Sequence, residues 1–219
     1  MALAEAEFTG TSNAFGIGIS ESVGGAAAIV LTILGLAHVV PVFLVAIALI
    51  AAGAAQIIRG VLLIRDYDHA LERPNTAVSL AELGGAGVLP LEVLAGGSAI
   101  ILGILALLQL DPVDLVAIGV IALGSALVLT TNATARIGLF KVSAIYRDER
   151  GQRLAGEVMA GTAMLQALSG LTAVVLGIIA LAGFSSLVLI LIALLNLGGF
   201  IVLNGATVGE TILAIFRRA

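Results

Sequence analysis

The sequence predicts an all-α membrane protein: one membrane domain, residues 1–219, whose six transmembrane helices form three tandem helical hairpins with approximate internal threefold symmetry. Three observations carry this. Charged residues make up 11% of the chain and mean hydropathy is +1.20, whereas soluble domains carry roughly 25% charged residues. The apolar runs approach or exceed the roughly 20 residues that cross a bilayer. Finally, a polar residue followed by four small ones occurs three times. The sets are Glu21, Gly25, Ala28, Thr32, Gly35; Glu92, Gly96, Ala99, Gly103, Ala106; and Gln166, Gly170, Ala173, Gly177, Ala180. Their alternating spacing of four and three puts each set on one helix face. The copies lie 71 and then 74 residues apart, which marks a repeat.

Residues 1–20 are small, polar and mildly acidic, and read as an N-terminal arm. No Lys or Arg precedes the first apolar run, so no cleavable signal peptide is expected. Repeat 1 spans about 16–65: an apolar helix to Val40, a turn at Pro41, and a returning helix. Proline suits a helix start because its missing N–H would be unbonded there anyway. A connection this short joins antiparallel neighbours. Repeat 2, about 87–136, matches repeat 1 without a gap: Pro41 corresponds to Pro112 and Gly53 to Gly124. Repeat 3 covers about 161–208, with Ser186 in place of the proline and Gly198 in place of Gly53. Charged linkers are expected at about 66–86 and 137–160, with residues 137–147 either an amphipathic surface helix or a continuation of the fourth helix.

All ten basic residues fall on one side of this plan: Arg59, Arg65, Arg73, Arg136, Lys141, Arg147, Arg150, Arg153, Arg217 and Arg218. The positive-inside rule then puts both linkers and both termini in the cytoplasm.

Lipid tails are as apolar as leucine, so helices associate in a bilayer where small residues let backbones approach. The helix-packing stripe should therefore face other helices. Its repetition points to the first, third and fifth helices lining a pseudo-threefold axis, the alternative being that each stripe packs on its own hairpin partner. The bulky face of the first helix (Ile29, Leu31, Ile33, Leu34) should then face lipid or neighbouring subunits. Glu21, Glu92 and Gln166 lie about 20 residues before their turns, roughly 30 Å along a helix, near the cytoplasmic boundary. They read either as first-turn groups favoured by the helix dipole and wetted by headgroups, or as a candidate polar ring at the mouth of an axial pathway. Arg59, Thr130 and Asn204 occupy matching positions and read as interfacial, while Asn196 reads as an interhelical hydrogen bond. His38, Asp111 and Asp114 read as loop residues, too few for a metal site.

Cysteine is absent, which excludes disulfides and thiolate chemistry. A net charge of −4 argues against nucleic acid as a partner. No nucleophile-and-base motif, phosphate loop or dinucleotide fingerprint occurs, so no catalytic, cofactor-binding or metal residue is assigned and no enzyme is expected.

The hairpin pattern Leu34-Gly35, Pro41, Gly53, Gly60, repeated in part as Pro112 and Gly124, resembles the HdeD-like acid-resistance membrane proteins of bacteria. The resemblance covers the six helices and departs in the long charged linkers, the absence of tryptophan and the missing third proline. It implies a six-helix inner-membrane protein linked to acid stress and supplies no catalytic residues. Two functions follow as expectations. The first is a structural or accessory subunit, partnered by lipid and by copies of itself or other membrane subunits. The second is a proton or small-solute channel or transporter along the axis.

Overall fold

The structure, a computed structural model, describes residues 22–37, 40–71, 90–145, 149–183 and 186–216. Every regular element among them is an α-helix. These are α1 (Ser22–Leu36), α2 (Pro41–Leu71), α3 (Pro90–Leu107), α4 (Pro112–Ile145), α5 (Glu149–Leu181) and α6 (Ser186–Phe216). Five of them contain a stretch long and apolar enough to cross a bilayer, and α1 is a shorter apolar helix. The N-terminal arm, Glu21, His38 and most of the 66–86 linker lie outside the described residues.

Proline opens α2, α3 and α4, where its fixed φ suits the first helical position. The repeat extends to the turn backbone. Val40 and Asp111, each just before a proline, both adopt left-handed φ values, 42° and 38°. A residue before proline is pushed out of the right-handed helical region, and here the chain turns through the opposite one. The third turn passes through Gly183, φ 87°, a conformation glycine takes without steric cost.

The helices outrun the apolar segments. Residues 66–71 continue α2, and the 137–160 linker is helical on both sides of residues 146–148. The α4 helix has 34 residues, and its span as judged by hydropathy ends at Thr131. At 1.5 Å per residue it is roughly 51 Å long, well beyond a ~30 Å hydrocarbon layer. The segment after Thr131 has neither proline nor a run of glycines, so nothing in it breaks a helix. Continuation of the fourth helix is thus the reading that holds.

The innermost helices are α2, α4 and α6, which pack on one another. Their seam is filled by Leu49, Val120 and Leu194, and by Ala52, Leu123 and Leu197, all buried. Each set recurs at the 71- and 74-residue offsets. The others lie in the grooves outside: α3 packs on α2 and α4, and α5 on α4 and α6. The α1 helix touches α6 through Gly25 and Gly35, and α2 through Gly24. The expectation that the first, third and fifth helices line the centre is therefore reversed.

All twelve stripe residues from Gly25 to Ala180 are buried, but against neither expected partner. Each stripe packs on the returning helix of a different hairpin. Gly96 of α3 meets Gly53 of α2, Gly170 of α5 meets Gly124 of α4, and Gly25 of α1 meets Gly198 of α6. A β-carbon on Gly96 would stand 2.5 Å from the Gly53 carbonyl oxygen, and one on Gly170 would stand 2.6 Å from that of Gly124. The physical reason is that the tightest backbone approaches, Gly96 on Gly53 and Gly170 on Gly124, put a glycine on both sides. The returning helices offer it on the flank where Gly53, Gly124 and Gly198 lie, whereas their inner flank needs bulk to fill the centre.

The neighbours of these contacts recur as well: Ile57, Val128 and Val202 border one side, and Ile100, Val174 and Ile29 the other. The outer surface is aliphatic, with Val30, Ile101 and Val175 exposed at one level and Ile33, Ile104 and Ile178 at the next. Ile29 and Leu31, expected on that surface, are half-buried instead, Ile29 against Gly198 and Leu31 against the core.

A polar cross-link joins α6 to α5, as the sequence suggested for Asn196. Its Nδ2 donates to the Ser169 carbonyl oxygen and hydroxyl, both at 3.0 Å. Asn196→Leu is expected to destabilise the fold by about 0.6 kcal/mol, and by no more than about 1.7, the range measured for interhelical bonds in membranes. Denaturation in mixed micelles reads this directly.

Candidate functional site: a buried polar quartet

The main concentration of buried polar groups among the described residues lies toward the end of the bundle opposite the short turns. Its construction begins with two helix features. Pro90 starts α3, so Glu92 falls in the first turn, where the helix dipole favours a carboxylate. Gly60 on α2 then lets that turn come close: a β-carbon there would stand 2.7 Å from Val93 Cγ2 and 3.1 Å from Glu92 Cβ. The Glu92 carboxylate is thereby brought to Arg59, whose Nε lies 3.7 Å from Glu92 Oε2.

Two further helices complete the set. Thr130 Oγ1 on α4 lies 2.6 Å from Glu92 Oε1 and 2.9 Å from the Ala126 carbonyl. A hydroxyl has one proton to give, and the shorter contact to a charged acceptor takes it. Gln166 on α5 uses its whole amide: Nε2 donates to the Leu127 carbonyl at 3.0 Å and to Thr130 Oγ1 at 3.1 Å. Its Oε1 accepts from Arg59 Nη2 at 2.8 Å. The result is a closed circuit, Arg59 to Gln166 to Thr130 to Glu92 and back to Arg59, with one member from each of α2, α3, α4 and α5. Phe200 of α6 covers the guanidinium, its ring centroid 5.0 Å from Arg59 Cζ, within cation–π range.

Glu92 is 0% exposed and Gln166 2%. The first-turn position read for Glu92 is where it sits, but headgroups do not wet it; Arg59 and Thr130 do that work. Glu92 and Gln166 belong to one network, while Glu21, the third member of the expected ring, lies outside the described residues. Arg59 and Thr130 are corrected from interfacial to buried. The available signal was Arg59 itself, a cation inside the apolar span Pro41–Leu62, which requires a buried partner. Of the remaining candidates, Thr32 is buried with its hydroxyl donating to the Ala28 carbonyl, and Asp111 and Asp114 are exposed at the second turn. Among the described residues no group of three His, Cys, Asp or Glu side chains is placed to hold a metal ion.

Chemically, the quartet pairs a cation with an anion and satisfies most of the donors and acceptors around them. Fold and site together define a multi-pass helical membrane protein with a polar knot at one end. No protein-family model matches the chain, and no curated protein or solved structure is significantly similar to it.

Proposed function

We propose that this chain is a non-catalytic integral membrane protein, a structural or accessory subunit that packs with copies of itself or within a larger membrane complex. The observation that carries this reading is the filled centre. Leu49, Leu123, Val120, Leu194 and Leu197 occupy the seam among the inner helices, and the polar quartet bonds mainly to itself. A conduit needs wetted polar groups along its length, which the aliphatic seam does not offer.

The bundle in this reading is a ring of three hairpins about a pseudo-threefold axis, supported by the three glycine pairs and by bordering residues at the same offsets. The one-sided distribution of Arg and Lys supports cytoplasmic termini, and the placement in a prokaryotic inner membrane rests on the resemblance to a bacterial family. The link to acid stress rests on the resemblance of the hairpins to the HdeD-like proteins.

Two measurements on one preparation test the proposal. Purified protein in liposomes should pass protons and small solutes no faster than empty vesicles. Native mass spectrometry from mild detergent should show oligomers or a defined partner complex. Flux above background, altered by Glu92→Gln, would support the channel instead, and a stable monomer without partners would count against the accessory role.

A further inference from the structure

Each glycine contact fixes a register between two antiparallel helices, and the register carries a polar pair with it. Gly96 of α3 faces Gly53 of α2. Glu92, four residues before Gly96, ion-pairs with Arg59, six residues after Gly53. Gly170 of α5 faces Gly124 of α4. Gln166, four residues before Gly170, donates at 3.1 Å to Thr130, six residues after Gly124. In both contacts the outer helix thus lays a polar side chain on a polar side chain of the inner one, at identical offsets from the glycines.

The third contact keeps this register. A β-carbon on Gly25 would stand 3.0 Å from the Gly198 carbonyl oxygen, and one on Gly198 would stand 3.1 Å from that of Gly25. The Gly25 β-carbon would also lie 2.9 Å from both Ile201 Cγ2 and Val202 Cγ2. Those two residues match Leu127 and Val128, which border Gly170 in the same way. The start of α1 is held from a second side as well, since a β-carbon on Gly24 would stand 3.0 Å from Ala55 Cβ of α2. Four residues before Gly25 is Glu21, and six after Gly198 is Asn204. Asn204 Nδ2 is buried. Glu21 immediately precedes Ser22, the first residue of α1, so its Cα is tied about 3.8 Å from a placed one.

We propose that Glu21 seats on Asn204: its carboxylate accepts a hydrogen bond from Asn204 Nδ2 and clasps the first helix to the last. The two groups are complementary, because a carboxylate only accepts and an amide nitrogen only donates. A bond to a charged acceptor is also stronger than one between neutral groups, and the N-terminal end of α1 favours a negative charge. With this pair the polar level has three outer members, Glu21, Glu92 and Gln166, facing three inner ones, Asn204, Arg59 and Thr130. The inference holds whether the protein works as an accessory subunit or as a channel.

Two measurements on the full chain test the clasp. Glu21→Leu and Asn204→Leu should each lower Tm by about 2–4 °C. The double variant should lose no more than the larger single loss, because either change removes the same bond. Singles without effect, or losses that add, overturn the proposal. The second measurement reads proximity in native membranes and so covers variants too unstable to melt cleanly. The chain has no cysteine, so an introduced pair is the only one that can cross-link. A short bis-thiosulfonate reagent should join Glu21→Cys to Asn204→Cys within one chain. It should leave Glu21→Cys unlinked to Thr130→Cys, the matching position on α4. No link at position 204, or an equally fast one at position 130, overturns the seating of Glu21 on α6.

Discussion

Replacing Gly96 with alanine is expected to destabilise the bundle by about 3 kcal/mol or more, at the upper end of what added methyl groups cost in packed interiors. The cost is high because the obstacle is backbone. The new β-carbon would stand 2.5 Å from the Gly53 carbonyl oxygen, 2.8 Å from Ile57 Cγ1 and 3.0 Å from the Ile57 nitrogen. A side chain can rotate away, but two paired helices must separate as units, and the contacts along their length loosen together. Gly97 is the internal control. A β-carbon there meets nothing within 4 Å, so Gly97→Ala should be neutral or stabilise by up to about 1 kcal/mol through helix propensity. Reversible denaturation in mixed micelles compares the two neighbours in one background. Equal tolerance at both positions would mean that the glycine contact does not hold α2 to α3.

The second large effect belongs to the Arg59–Glu92 pair. Arg59→Met should cost about 3–5 kcal/mol, because it leaves a buried carboxylate without its cation and Gln166 Oε1 without its donor. Glu92→Gln should cost a comparable amount, since the amide can still accept from Thr130 while the guanidinium loses its counter-charge. The double variant removes both charges and should be more stable than either single one. A double-mutant cycle is then expected to return a coupling above about 1 kcal/mol. Strict additivity of the two losses would show that the charges do not interact across 3.7 Å.

The sequence made one side of each helix contact legible and left the other side open. Small residues at Gly25, Gly96 and Gly170 say that a backbone will come near, but spacing within one helix carries no information about which helix it is. The missing half lies in Gly53, Gly124 and Gly198, which the repeat marks without identifying them as the opposing faces. The centre is hidden in the sequence for a related reason: close approach suits a groove between two neighbours, whereas a junction of three helices needs leucine and valine to fill it. Helix length was hidden because hydropathy registers where lipid stops, and hydrogen bonding along α4 continues into polar sequence. Arg59 and Thr130 read as interfacial because they sit at the ends of the returning helices, far from the turns. That distance fixes depth along the normal and says nothing about whether a side chain points outward or into the bundle.

The contact of Gly25 with Gly198 joins the first helix to the last. A ribosome delivers α1 early and α6 at the end, so the glycine ridge of α1 waits through the synthesis of the intervening chain for its matching backbone. Contacts between such distant segments form slowly, and incompletely assembled chains are prone to mispairing. The order of the helices thus makes this contact a late step of assembly: a chain arrested before Ser186 leaves the glycine ridge of α1 without the backbone it packs on.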